Sequence, residues 1–147
     1  MNLNYSDEQN MLREQVLKFC ETNYDFIDRE KILETEAGYS QDNWKQFADL
    51  GWLAVPFKEE NGGFNFGPIE LTVLFEEFGK ALVVEPYLSS VVMSGTILES
   101  SNHSNKSSII EKIIASFLKS FPKFISFFIC YITCLFPFLL NLFYIFG

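Results

Sequence analysis

The sequence is poor in the residues that most often carry chemistry. It holds one histidine, His103, and three cysteines, Cys20, Cys130 and Cys134. So few cysteines exclude a disulfide framework, and no CxxC pair offers a zinc site. His103 stands in a polar stretch without a Cys or Asp placed to complete a triad or a metal site. No alternating run marks a strand, and no internal repeat is visible. The N-terminus, MNLNYSDEQN, lacks both the basic start and apolar run of a secretory signal and the Arg-rich character of a transit peptide, so a cytoplasmic head is expected. The most telling absence is positional: the chain has 19 Asp and Glu, yet its last 31 residues contain none.

That absence divides the chain into residues 1–116 and 117–147. The head carries 9 Lys and Arg against 19 acids, a net charge of −10, and Lys119 and Lys123 bring the whole to −8. An acidic head argues against nucleic acid or anionic lipid as its partner. Phenylalanine is divided too, with 9 of its 17 copies in the last 31 residues.

The head reads as all-α, a bundle of about six helices. Ser6 and Gln9 fit a capping box that starts a first helix at Asp7, running to about Asn23 with Leu12, Val16, Phe19 and Cys20 on one apolar stripe. A weaker helix is expected over Phe26–Glu36. Ser40 caps a third that carries Trp44, Phe47 and Leu50 and stops at Gly51. Trp52 to Pro56 reads as a buried connector, with Val55 held extended by the proline that follows. After the loop KEENGGFNFG, Pro68 opens a long helix to about Gly79, whose Ile69, Leu71, Leu74, Phe75, Phe78 and Leu82 wrap more than one face. A fifth helix covers about Tyr87–Ser100, and a sixth Ser107–Ser116.

Few of these residues suggest a reaction. Gly62-Gly63-Phe64-Asn65-Phe66-Gly67 invites a phosphate-loop reading, but its spacing fits neither a dinucleotide fingerprint nor a Walker loop, and a structural turn is expected. Glu59-Glu60 and Glu76-Glu77 are adjacent pairs whose side chains diverge on a helix, so both read as solvated carboxylates. No metal site is expected.

Taken in order, Trp44, Leu50-Gly51-Trp52, Val55-Pro56, Glu60-x-Gly62-Gly63-Phe64, Glu70 and Glu76-Glu77-Phe78-Gly79-Lys80-Ala81-Leu82 resemble the N-terminal helical domain of acyl-CoA dehydrogenases. The opening SDEQNMLREQVLKFC resembles the family's first helix. The resemblance implies an FAD-dependent oxidation of an acyl-CoA thioester to the trans-2-enoyl-CoA, a glutamate taking the α-proton while hydride passes to flavin. It also implies that these helices wall one side of the acyl and flavin cavity, whereas a β-domain and a C-terminal helical domain hold most of the FAD and the catalytic glutamate. Residues 1–116 match neither of those domains, so no catalytic residue is assigned. A truncated homologue, inactive alone, is expected. By family, the helix after the Glu-Glu-x-Gly helix lines the acyl pocket. Tyr87, Ser90, Val91 and Ser94 share its face at i, i+3, i+4 and i+7, with ordinary core packing as the other reading. A homo-oligomer or a partner chain supplying the missing domains stays open, as does a non-catalytic interaction module.

After Ser116 the chain reads FLKSFPKFISFFICYITCLFPFLLNLFYIFG, an apolar segment expected to be helical. Residues 124–147 carry no charge and are long enough to cross a bilayer, with Lys119 and Lys123 on the cytoplasmic side. A membrane anchor is the literal reading. Composition favours another. Val, Ala, Asp, Glu and Gly, whose codons begin with G, supply 38 of the first 116 residues and only Gly147 of the last 31. Membrane helices use Val, Ala and Gly freely, so the tail reads as translation out of frame.

Overall fold

The computed structural model describes residues 4–116. The apolar helical segment expected at 117–147 lies outside the described residues, and with it Cys130, Cys134 and the expected membrane span. Six α-helices follow in order: α1 (Asp7–Asn23), α2 (Phe26–Leu33), α3 (Gln41–Asp49), α4 (Pro68–Ala81), α5 (Ser94–Ser100) and α6 (Lys106–Ile114). No strand occurs among the described residues. None of these helices is long and apolar enough to cross a membrane.

Local chemistry starts most of them. The Gln9 N–H donates to Ser6 Oγ at 3.2 Å and the Ser6 N–H to Gln9 Oε1 at 2.9 Å, the reciprocal bonds of a capping box. The carboxylate of Asp25 accepts from the Asp28 N–H to open α2, and Ser40 Oγ accepts from the Asn43 N–H to open α3. Pro68 occupies the first turn of α4, where a missing N–H is harmless.

The core is aromatic. Val16, Phe19 and Cys20 on α1 are buried as their stripe predicts. Phe19 meets Phe47 of α3 and Trp52, and Phe47 stacks on Phe78 of α4 with ring centroids 5.1 Å apart. Tyr87 closes the cluster against Phe78 and donates its hydroxyl to the Trp52 carbonyl at 2.8 Å. Each fully buried large apolar side chain in such a cluster is worth about 1.5–3 kcal/mol. α1 lies along α4, and α6, packed against α5 and the Trp52 turn, contributes the buried Ile110 and Ile113.

Three local expectations are corrected. Val55 is helical rather than extended, with φ −50° and ψ −51°, because Trp52–Ala54 forms a 3₁₀ turn that buries Trp52, Leu53, Ala54 and Val55 together. Burial outweighs the preference of a residue before proline. Second, the α4 apolar residues do not all pack: Val73, Leu74 and Phe78 are buried, whereas Ile69 and Leu82 are exposed. Third, the helix expected over Tyr87–Ser100 is present without a break, but its first part, Leu88–Met93, winds as a π-helix before α5 continues it.

Candidate functional site

The glycine loop is structural. The N–H groups of Gly62, Gly63, Phe64, Asn65 and Phe66 donate to the carbonyls of Glu59, Lys58, Ala54, Phe57 and Val55. The Gly67 N–H is held at 2.9 Å by Glu70 Oε2. Every N–H that a phosphate would need is therefore already taken, and the helix start that follows bears a carboxylate. Gly63 is required for another reason, since a Cβ there would overlap the Phe57 carbonyl. The diphosphate of an FAD does not fit this loop.

The two acid pairs part company. Glu59 and Glu60 are exposed, as expected. Glu76-Glu77 corrects the solvated reading, because Glu77 is only 2% exposed and joins an ion network between α1 and α4. Arg13 Nε lies 2.7 Å from Glu77 Oε1, and Lys80 Nζ sits 2.9 Å from both Glu77 and Glu76. Burial pushes the Glu77 carboxyl up, but the hydrogen bonds from Lys80 and Arg13 outweigh it and hold it below the usual carboxylate range. Tyr5 donates to the second oxygen of Glu76 at 3.1 Å. These acids join α1 to α4 and are unavailable as a base. His103 is exposed and accepts the Asn105 N–H on Nδ1. Among the described residues no group of His, Cys, Asp and Glu is disposed to hold a metal.

The segment from Tyr87 to Ser100 is shaped by the π turn. Tyr87, Ser90 and Val91 are buried against the head's own core, and Ser90 Oγ has no hydrogen-bond partner among the described residues. Ser94, expected on the same face, is half-buried and donates its hydroxyl to the Ser89 carbonyl at 2.7 Å. The extra residue in a π turn shifts the register, so Gly95 takes the inward place, where a Cβ would run into the Phe57 ring. The open side carries Leu88, Met93 and Ile97, which are 54%, 49% and 54% exposed.

Beside this segment lies a pocket of about 300 Å³ lined by Phe75, Phe78, Leu82, Glu85, Tyr87 and Leu88, among others. Glu85 is 7% exposed; its Oε1 accepts from the Ser40 N–H at 3.2 Å, and its Oε2 has no partner among the described residues. Burial pushes its carboxyl up to about 7, against the opposing pull of backbone N–H groups at Glu85, Ser40 and Val84. Sequence reasoning passed over Glu85, although a lone acid inside Leu82-Val83-Val84-Glu85-Pro86-Tyr87-Leu88 is the signal that marks it.

Known proteins share the fold of the head. The family model of the acyl-CoA dehydrogenase N-terminal domain matches residues 6–116. The acyl-CoA dehydrogenase IpdE2 of Mycolicibacterium smegmatis is 31% identical over 94 residues, which is 63% of this chain and 30% of that protein. The probable acyl-CoA dehydrogenase YngJ of Bacillus subtilis is 30% identical over 81 residues, 55% of this chain and 21% of its own length. The crystal structure of the ChsE4–ChsE5 complex from Mycobacterium tuberculosis superposes with a TM-score of 0.71 at 20% identity, over 78% of this chain and 32% of that one. The chain thus spans about a third or less of the relatives it matches. With the helical fold and the residues of the family model both in place, the chain belongs to the acyl-CoA dehydrogenase family, through that family's N-terminal domain.

Proposed function

We propose that residues 1–116 serve as one wall of the acyl and flavin cavity of an FAD-dependent acyl-CoA dehydrogenase and do not dehydrogenate an acyl-CoA alone. The observation that carries this reading is the apolar row Leu88, Met93 and Ile97, exposed on the segment that follows α4. Such a row is suited to an acyl chain or to a neighbouring domain rather than to water. In this reading Ser94 borders the chain, and Tyr87, Ser90 and Val91 form the layer behind, fixing the position of the row. The diphosphate of FAD and the base that removes the α-proton come from elsewhere in the enzyme, because the glycine loop and the Glu76-Glu77 pair are already engaged. Residues 117–147 we read as out-of-frame translation, and reading the nucleotide sequence beyond the Ser116 codon in all three frames tests that. An in-frame stop, with no family sequence in another frame, would favour the anchor.

A second reading gives this chain a partner, as ChsE4 and ChsE5 are found together in one complex. Here a separate chain supplies the remaining domains. The test for both is anaerobic mixing of the purified chain with FAD and an acyl-CoA. The flavin is expected to stay oxidised, and to bleach only when a partner chain with the family's remaining domains is co-expressed. Bleaching by this chain alone would overturn both.

A further inference from the structure

Helix α2 is held by local chemistry and not by the core. It has eight residues, and helices below about 12 residues are marginal in water unless an apolar face is packed. The Asp25 cap and the ion pair of Lys31 with Asp28 at 2.6 Å support it, yet none of its residues is buried. Phe26, Ile27 and Leu33 are 68%, 61% and 48% exposed. With about 100° between successive residues, Phe26, Glu30 and Leu33 share one side of the helix and Ile27 stands at its margin. An apolar row of this kind on a surface helix is the face that another helix packs against.

The charges around the row select the occupant. Both cations of α2 are engaged, Lys31 by Asp28 and Arg29 over the Phe26 ring, 5.8 Å from its centroid. Asp25 before the row, Glu30 within it and Glu34 after it are exposed acids that pair with no cation among the described residues. An anionic lipid surface would be repelled, and a second copy would set the same acids against each other in a head that has 19 acids and only 9 Lys and Arg. We propose that the open face of α2 docks an amphipathic helix of a separate, basic protein, its apolar side chains on Phe26, Ile27 and Leu33 and its lysines or arginines on Asp25, Glu30 and Glu34. α2 is only about 12 Å long, so the contact is small and the association weak and transient. The face shares no residue with the row Leu88, Met93 and Ile97, so it does not depend on the acyl-wall reading.

The probe is a fluorescein-labelled amphipathic peptide of leucine and lysine, titrated with the full chain at low salt and followed by fluorescence anisotropy. Saturable binding is expected, weakening as ionic strength rises. Ile27→Ser with Leu33→Ser, both at exposed positions, is expected to weaken it by about tenfold or more, and so is Glu30→Gln with Glu34→Gln. The same peptide with glutamate in place of lysine is expected not to bind. In the parent chain the lysine peptide should slow amide hydrogen exchange over residues 26–33 and leave residues 88–97 unchanged, which decides the matter if the serine variant does not fold. Equal binding by the parent chain and the serine variant, or protection that falls outside α2, would overturn the proposal, because a general attraction to an acidic protein would then account for the peptide. A parent chain that dimerises, and loses its dimer in the serine variant, would assign the face to a second copy. Binding lost once the family's remaining domains are present would make it an interdomain contact, and either result would equally overturn the proposal.

Discussion

Glu77 and Glu85 are both buried, yet the fold moves them in opposite directions. Glu77 has two cations, so its folded carboxyl is held below the usual range, and the stability it contributes is present at neutral pH and lost as pH falls through that range. Glu85 has only backbone N–H groups and no cation to oppose its burial, so burial dominates and its carboxyl rises to about 7. The protonated form is the one the fold prefers, and stability therefore falls as pH rises from the ordinary carboxylate range to about 7. Urea denaturation of the parent chain should show that loss between about pH 5 and pH 8, amounting to up to about 3 kcal/mol. Glu85→Gln should flatten this profile and be the more stable of the two at the alkaline end. A parent profile already flat across this window would contradict the assignment. Removing a cation from the other acid gives the contrasting result. Arg13→Ala leaves Glu77 buried with Lys80 alone and should cost about 1–3 kcal/mol at neutral pH, measured the same way. Neither acid was fully legible in the sequence. Adjacency made Glu76-Glu77 look solvated, because nothing local shows that Arg13, 63 and 64 positions away, folds back onto the pair.

Elements whose signals are local were legible, and those set by packing were not. The start of α1 followed from Ser6 and Gln9 alone, because a capping box is satisfied within one turn. Ser6→Ala should therefore cost about 1 kcal/mol in thermal or urea unfolding, with little effect elsewhere in the head. The loop after the 3₁₀ turn was correctly read as structural from its spacing, and the reason is now visible in its hydrogen bonds to residues 54–59. Gly63 is the point where that loop lies directly on the Phe57 backbone. Gly63→Ala must displace the backbone, so a loss of about 1–3 kcal/mol or more is expected, larger than for an alanine at an exposed loop position. Val55 and Ser94 show where sequence periodicity runs out. The first obeys the burial of its neighbours rather than the proline after it, and the second is turned aside by a π turn whose extra residue no 3.6-residue pattern announces.

At the scale of the whole molecule, the head joins a closed aromatic core to an outer surface that is only partly polar. The core rings interlock through α1, α3, α4 and the Trp52 turn, so the fold itself is well determined by short-range contacts among Phe19, Phe47, Trp52, Phe78 and Tyr87. Outside it, Leu82, Leu88, Met93 and Ile97 stand exposed along the end of α4 and the segment after it. Helix α2 buries none of its residues fully, and its Phe26 and Ile27 are exposed. A family whose members are about three or more times the length of the matched region has other domains to cover such surfaces. The composition of the head hinted at this, since its helices carry more apolar positions than one stripe needs, but which residues remain open is decided only by how the six helices pack. If the row after α4 is a contact surface rather than part of the core, polar residues there should spare the fold. Leu88→Lys combined with Ile97→Lys should leave the unfolding midpoint within the range of ordinary surface changes, about 0.5 kcal/mol per site, because neither side chain is buried. The same pair should lower the chain's binding of an apolar dye and its self-association in sedimentation velocity, and in an enzyme reconstituted with the remaining domains it should depress turnover of acyl-CoA. A double variant that unfolds would place these residues in the core, and one that restores full turnover would remove the row from the cavity wall.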